Sequence, residues 1–429
     1  MHDPVRDAPA AAAALALLLL LGGCGSPPDR IVFIVVDTLR ADAPSFAGGA
    51  ASTPHLDALA ARGEVVPDVV ASFHNTSMTM GAIFSGRSPS LESGDARLPL
   101  SWTPRNWCGL ARFADAGQSP RRCVPEGLET LGQRMAEAGY ETLGIVSNPL
   151  LFEPAGFSPG FDHWEEVGEG GALRMLRLNL EGGDLSALAD LRAGRAVTAA
   201  ALDVVDARAS DRFFLYVHYM DVHDWNLYPD ESYEGAVARA DAAVGDLLDG
   251  LEQRGLLADA AVVFTADHGE ALGEDHFMPG TPRHLGAPSF EPVLRVPLVL
   301  VNAGFEVGDA LVRSQDVYGL LARIAGGDPS SGSSPLRPQE VLVSERLYQV
   351  YRDGRYKSFQ DRRDGSFHLV DLAADPGERH DVASRQPDVA AAHRARVAEL
   401  TDALAAPEGK TVTLGAQDAH RLRVLGYLE

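Results

Sequence analysis

Lysine is almost absent from this chain. Of its 37 basic residues only Lys357 and Lys410 are lysines, so any chemistry that needs an ammonium group before residue 350 is excluded. A positive surplus is missing too: 60 acidic residues against 37 basic give a net charge of −23. That balance excludes a nucleic-acid backbone as a partner and obliges an anionic substrate to find a local cationic centre, such as a metal. Cysteine is scarce, with Cys24, Cys108 and Cys123 only, none in a metal-ligand spacing. There is no internal repeat, and no apolar run has the length of an ordinary membrane-spanning helix. What remains is an ordinary globular composition, 45% hydrophobic and 23% charged over 429 residues, enough for one large α/β domain and a smaller one.

The amino terminus reads as a targeting segment. The run AAAAALALLLLLGGCGS is short and apolar and ends in Leu21-Gly22-Gly23-Cys24. It resembles a bacterial lipoprotein signal, which makes residues 1–23 a signal peptide, Cys24 the lipidated residue and 24–29 a Pro/Gly tether. The implied location is an exported lipoprotein anchored in the outer membrane, facing the periplasm or the cell surface. A simple secretory signal is the plainer alternative. In an oxidising compartment Cys108 and Cys123 could close a loop as a disulfide; two buried thiols are the other option.

From residue 30 onward strands alternate with helices. RIVFIVVDT, ETLGIVS, RFFLYVHYM, AAVVFTADHG and RVPLVLVNAG read as strands, separated by segments with helical periodicity. This pattern predicts an α/β fold: a mostly parallel sheet flanked by helices over residues 30–305. Beyond residue 306, short strands joined by Asp-Gly turns at 353–354 and 364–365 predict a smaller antiparallel sheet, finished by helices near 387–404 and 415–427. The segment 88–124, rich in Pro, Arg and Trp, reads as irregular. In a parallel α/β sheet ligands bind at the carboxyl ends of the strands. The polar residues falling there are Asp37, the stretch from His218 to Asp224, and Asp267 with His268. Two carboxylates and two histidines at the ends of separate strands suggest a metal site, although a single Asp-His pair can equally be a turn cap and a core histidine.

The blocks IVFIVVDTLRAD, TPHLDALAARG, GYETLGIVSNPLLF, FFLYVHYMDVHD, VVFTADHGEALGE and LRVPLVL occur in order. Together they resemble the sulfatase branch of the alkaline phosphatase superfamily, and the tail from Arg352 onward resembles that branch's C-terminal subdomain. The resemblance implies an ester hydrolase with Asp37, Asp267 and His268 as metal ligands. It implies that His223 contacts the transferred group, with His218 or His284 as weaker substrate contacts. It also implies an anionic ester as substrate.

The departures from the family pattern matter as much. Ser85-Gly86-Arg87 sets the register, and counting back puts Thr76 where those enzymes carry the Cys or Ser that becomes formylglycine. The following Pro and Arg are missing, the family's second Asp is Thr38, and Gly-Lys-Trp-His is replaced by Val146-Ser147-Asn148-Pro149. Other members of the superfamily, the phosphoethanolamine transferases and lipoteichoic acid synthases, use a threonine directly. By similarity to them, Thr76 is both nucleophile and fourth metal ligand, and phosphoester chemistry is favoured; Thr76 as a mere helix cap is the alternative. A histidine in the ligand set favours Zn²⁺ or Mn²⁺ over Ca²⁺. A degenerate, non-catalytic lipoprotein that binds an anionic ligand or partner is the competing reading of the whole chain.

Overall fold

The computed structural model describes residues 26–91, 111–113, 117–118, 124, 127–148, 150–151, 153–168, 193–227, 232–278, 288–328, 336–345 and 347–404. Cys24, Cys108, Cys123, His284 and the second terminal helix expected at 415–427 lie outside the described residues. Sixteen strands are present there: β1 (Arg30–Val36), β2 (Glu64–Val65), β3 (Val69–Val70), β4 (Pro89–Leu91), β5 (Ala111–Phe113), β6 (Gly117–Gln118), β7 (Glu141–Val146), β8 (His163–Glu166), β9 (Phe213–Tyr219), β10 (Ala261–Thr265), β11 (Leu298–Val301), β12 (Val312–Arg313), β13 (Glu340–Ser344), β14 (Tyr348–Asp353), β15 (Tyr356–Asp361) and β16 (Phe367–Asp371). The helices are α1 (Pro54–Ala60), α2 (Thr76–Ser85), α3 (Leu131–Glu137), α4 (Gly194–Arg208), α5 (Tyr233–Gln253), α6 (Glu291–Leu294), α7 (Asp316–Ile324) and α8 (Pro387–Leu404).

The large sheet has the order β2-β11-β10-β1-β9-β7-β8. Its five strands from β10 to β8 are parallel, and β11 and β2 close one edge antiparallel. From Ile31 to Val36, β1 is wholly buried, as expected of a central strand covered by helices on both faces. Because β1 pairs in parallel with both β10 and β9, the chain leaves all three at one edge of the sheet. Asp37, Tyr219 and Thr265 therefore arrive together, with Val35 level with Thr265 and Val36 level with Tyr219.

Helix ends are settled by side chains. Ser232 caps α5 through the amide of Gly235 at 3.1 Å, and Thr130 makes a reciprocal capping box with Gln133 on α3. In α1, Thr53 stands at the cap position, but its hydroxyl goes to Ser45 and Asp57; the free amides of His55 and Leu56 are taken by Asp241 of α5.

The second sheet runs β16-β15-β14-β13-β4-β5-β6. The C-terminal meander is antiparallel as expected, with α8 packed on it through Leu342, Tyr351, Val397 and Leu400. The segment read as irregular contributes three short strands, β4 to β6, which extend this sheet beyond β13. A charge network ties the second sheet to α6 and to the residue before β3. The Lys357 ammonium lies 2.9 Å from Glu291 and 2.8 Å from Glu378, while Arg352 reaches Asp68 at 2.8 Å. Among the described residues no helix is long and apolar enough to cross a membrane.

Candidate active site

Asp37 is the first residue beyond β1 and is fully buried. One of its oxygens, Oδ2, is saturated: it accepts from Asn148 Nδ2 at 2.6 Å, from Thr76 Oγ1 at 3.3 Å and meets His218 Nε2 at 3.1 Å. The other, Oδ1, is buried without a hydrogen-bond partner. Burial alone would raise the Asp37 pKa. The hydrogen bond from His218 and the charges of His223, His218 and His268 outweigh it and hold the carboxyl well below its usual range.

Asp267, two residues beyond β10, repeats the arrangement. Its Oδ1 accepts from the amides of Thr38 at 3.1 Å and His268 at 2.8 Å, while Oδ2 is buried and unpartnered. Burial, reinforced by the charge of Asp37, raises its pKa. Thr38 sits at φ +57°, a strained setting for a β-branched residue, which turns its amide onto Asp267. The residue that replaces the family's second Asp thus contributes its backbone, and its side chain bonds back to the Asp37 carbonyl.

His268 Nδ1 donates to the Gly269 carbonyl at 2.8 Å, which leaves Nε2 as the ring's ligand atom, 3.5 Å from Asp267 Oδ2. One ligand atom from each of Asp37, Asp267 and His268 lies within 4.8 Å of the others. Two bare carboxylate oxygens buried together would repel one another unless a cation stood between them. The donor set therefore fits a divalent metal.

Thr76 is not a helix cap. Asn75 holds that position, with extended φ −145° and ψ 156° and its side chain accepting from the Met78 amide at 3.0 Å. Thr76 is the first residue of α2, buried, and its hydroxyl accepts from Asn148 Nδ2 at 3.3 Å while donating to Asp37. The hydroxyl is thus held beside the carboxylates by its own hydrogen bonds.

Of the histidines, His218 is fully buried, with Nε2 on Asp37 and Nδ1 2.8 Å from the Tyr216 hydroxyl. Both ring nitrogens are engaged, so His218 orients Asp37 and has no ring nitrogen left for a substrate. Burial, followed by the charges of Asp267 and Asp37, keeps Tyr216 protonated and able to donate. His223 begins a short 3₁₀ turn at 223–227, is partly exposed, and has Nδ1 3.0 Å from buried Asp224.

Asn148 and Tyr216 are the site residues that the sequence pattern does not single out. Asn148 had a positional clue, since it lies in the stretch that replaces Gly-Lys-Trp-His. The single lysine among the described residues, Lys357, is fully buried between Glu291 and Glu378 and is committed there.

The fold and site together define an α/β domain with an Asp/Asp/His cluster at the carboxyl edge of its sheet and a small antiparallel sheet beside it. Residues 29–306 match the family model described as Sulfatase, and the chain belongs to that family. Bovine (Bos taurus) arylsulfatase K is 25% identical over 187 residues, 37% of this chain and 34% of that protein. Choline-sulfatase of Rhizobium meliloti is 28% identical over 186 residues, 40% of this chain and 35% of that one. The chain thus spans about a third of the length of these curated relatives. Among solved structures, the phosphonate monoester hydrolase of Agrobacterium radiobacter superposes with a TM-score of 0.62 at 17% identity, covering 88% of this chain and 96% of that one. A 2-O GAG sulfatase superposes at 0.60 with 15% identity over 88% and 93%. At these identities the solved structures establish the sulfatase, alkaline phosphatase-like fold.

Proposed function

We propose that this protein is a metal-dependent enzyme of the sulfatase type that cleaves or transfers an anionic ester through Thr76, with phosphoesters as its substrates. The observation that carries this reading is the Thr76 hydroxyl, held between Asn148 and Asp37 beside two bare carboxylate oxygens. Asp37, Asp267 and His268, with Thr76 as fourth ligand, would hold a divalent ion, which would supply the positive charge that makes a hydroxyl a competent nucleophile near neutral pH. The histidine ligand favours Zn²⁺ or Mn²⁺ over Ca²⁺.

The chain's own residues do the rest. His218 and Asn148 fix Asp37, so its free oxygen keeps one direction. Thr76 Oγ1 forms the new bond to the central atom as the leaving oxygen departs, and His223, oriented by Asp224, contacts the transferred group. A threonine has no second hydroxyl on its reacting carbon, so the covalent intermediate cannot collapse as a formylglycine ester does. It must be released by a second attack on the central atom, by water or by an acceptor alcohol. With no lysine ammonium at the crevice among the described residues, the site suits an ester carrying one negative charge, and a phosphate diester fits that better than a phosphate monoester.

The test is a panel of aryl sulfate, phosphate monoester and phosphate diester with each metal, run beside Thr76→Ala. Diester turnover that falls to background in Thr76→Ala is the expected result. Sulfate turnover that survives the substitution would show another nucleophile. A well-folded sample that binds no metal and turns over no ester would leave the non-catalytic binding reading. Cys24 as the lipid-bearing residue of an exported, outer-membrane lipoprotein belongs to the same proposal. An intact mass showing a diacylglyceryl group on residue 24 tests it.

A further inference from the structure

Thr38 holds a conformation that its side chain disfavours. Four described residues other than glycine have positive φ, namely Thr38, Asn302, Gln339 and Glu378, and Thr38 is the β-branched one. A β-branched residue fits that region poorly, so the turn needs support from outside itself. What the conformation yields is an amide aimed at Asp267 Oδ1, 3.1 Å away. That bond ties the Asp267 carboxylate to the turn that carries Asp37. Asp267 Oδ1 also accepts from the His268 amide at 2.8 Å, so the carboxylate cannot rotate without giving up both bonds. Its other oxygen, Oδ2, is thereby kept 3.5 Å from His268 Nε2.

The support comes from Tyr233, the first residue of α5, 195 residues along the chain. Its side chain is buried and its hydroxyl makes two bonds whose directions are fixed by their partners. The Thr38 carbonyl can only accept, so the hydroxyl donates to it, at 2.7 Å. The Arg40 amide can only donate, so the same oxygen accepts from it, at 3.0 Å. One oxygen therefore grips the backbone on both sides of Leu39 and closes the turn that follows β1. Tyr233 is itself held in place. Ser232 caps α5 immediately before it, and the Trp225 ring meets it edge-on with centroids 6.4 Å apart. Trp225 belongs to the short turn that starts at His223, and its indole N–H donates to Glu270 Oε2 at 3.4 Å.

We propose that Tyr233 is a positioning residue for the metal site: by gripping the Thr38 turn it holds the amide that aims Asp267, and so sets the affinity of the cluster for a divalent ion. The inference rests on the reading of Asp37, Asp267 and His268 as metal ligands; it does not depend on which group is the nucleophile. Position 38 is where the family carries a second Asp. With a threonine there, the cluster has one carboxylate fewer, and the aim of the remaining ones matters more. The backbone of residue 38 does for Asp267 what its side chain cannot do for the ion, provided that the turn is held.

The test is calorimetric titration of Zn²⁺ into the metal-free, full-length protein as wild type, Tyr233→Phe, Thr38→Gly and the double variant, with Tm measured on each metal-free sample. Residues that orient metal ligands typically contribute about 10- to 100-fold in affinity. Tyr233→Phe deletes one oxygen and keeps the ring, so its Zn²⁺ Kd is expected to rise by about tenfold, the lower end of that range. Glycine takes up positive φ without strain, so a chain with glycine at 38 has less need of the hydroxyl. Adding Tyr233→Phe to Thr38→Gly should therefore weaken binding by less than about threefold, a coupling between the two positions. A Tyr233→Phe protein with lowered metal-free Tm and the wild-type Zn²⁺ Kd would overturn the proposal and mark the hydroxyl as a fold contact. A full tenfold loss in the Thr38→Gly background would overturn it as well. Should Tyr233→Phe alone fail to fold, the double variant decides against Thr38→Gly by the same Kd ratio. A double variant that does not fold either counts against the proposal, because the hydroxyl would then hold more than the Thr38 turn. Wild-type protein that takes up neither Zn²⁺ nor Mn²⁺ would instead remove the metal reading itself.

Discussion

Replacing Asn148 by alanine should disarm the site while leaving the metal cluster intact. The Asn148 amide makes two bonds from one nitrogen, 2.6 Å to Asp37 Oδ2 and 3.3 Å to Thr76 Oγ1. The first is charge-assisted, because Asp37 is held ionised by His218 and the neighbouring histidines. Hydrogen bonds to charged groups contribute about 1.5–3 kcal/mol. Asp37 Oδ2 keeps His218 after the change, so part of that is retained, and about 1.5–2 kcal/mol is the expected loss in transition-state stabilisation. By the usual conversion this is about 10- to 30-fold in kcat/KM. The loss should fall on kcat, since Asn148 positions the nucleophile and Asp37. Asp37, Asp267 and His268 are untouched, so metal affinity should change little. Steady-state kinetics on a diester and calorimetric titration of Zn²⁺ would check both halves. An Asn148→Ala enzyme with wild-type kcat, or one that loses its metal, would refute this account of how Thr76 is held.

Three other outcomes follow from the same geometry. Stripping the metal with a chelator should lower Tm, because two buried carboxylates then face each other; restoring a cation to about 100 times its Kd should return about 2.7 kcal/mol, and Asp267→Asn should abolish that response. The Lys357→Met protein leaves Glu291 and Glu378 buried without their shared cation, at a cost of about 3–5 kcal/mol, which a denaturant titration would read as a shifted midpoint. Burial and the nearby Glu291 raise the Glu378 pKa to about 7, against the pull of Lys357. Its folded pKa lies above its unfolded value, so its stabilising contribution is full at low pH, below the unfolded carboxylate range, and is lost as pH rises through 7. Tm measured between pH 5 and 8 should decline over that span, and Glu378→Gln should flatten the decline.

The ligand cluster was legible because its signal is local. Asp37 ends an apolar run, and Asp267-His268 ends another; parallel pairing then carries both ends to one edge whatever the loops do. Thr76 was reachable only by counting back from Ser85-Gly86-Arg87; in the structure it is the first residue of α2. Asn148 and Tyr216 were not legible, for a shared reason. Asn148 is brought to Asp37 across 111 residues, and Tyr216 bonds its own strand neighbour two residues on, where alternation puts both side chains on one face. Neither position carries a residue type that announces chemistry. The strands β4 to β6 escaped for another reason: three-residue and two-residue strands with Pro and Gly carry no period, and only β13 makes them a sheet edge.

The scarcity of lysine, which opens the sequence, acquires a physical meaning at the site. A sulfatase crevice with no ammonium group among its described residues must place positive charge elsewhere. Here the donors around Asp37 are an amide, a hydroxyl and an imidazole, and the chain's one described lysine is buried between Glu291 and Glu378. Positive charge beside Asp37 and Asp267 therefore depends on the bound ion. Reintroducing a cation by Ser147→Lys, at the position where the family carries its lysine, should shift preference from diester toward the dianionic monoester. A variant that folds, binds metal and keeps the wild-type ratio of diester to monoester turnover would break the link between charge count and substrate class.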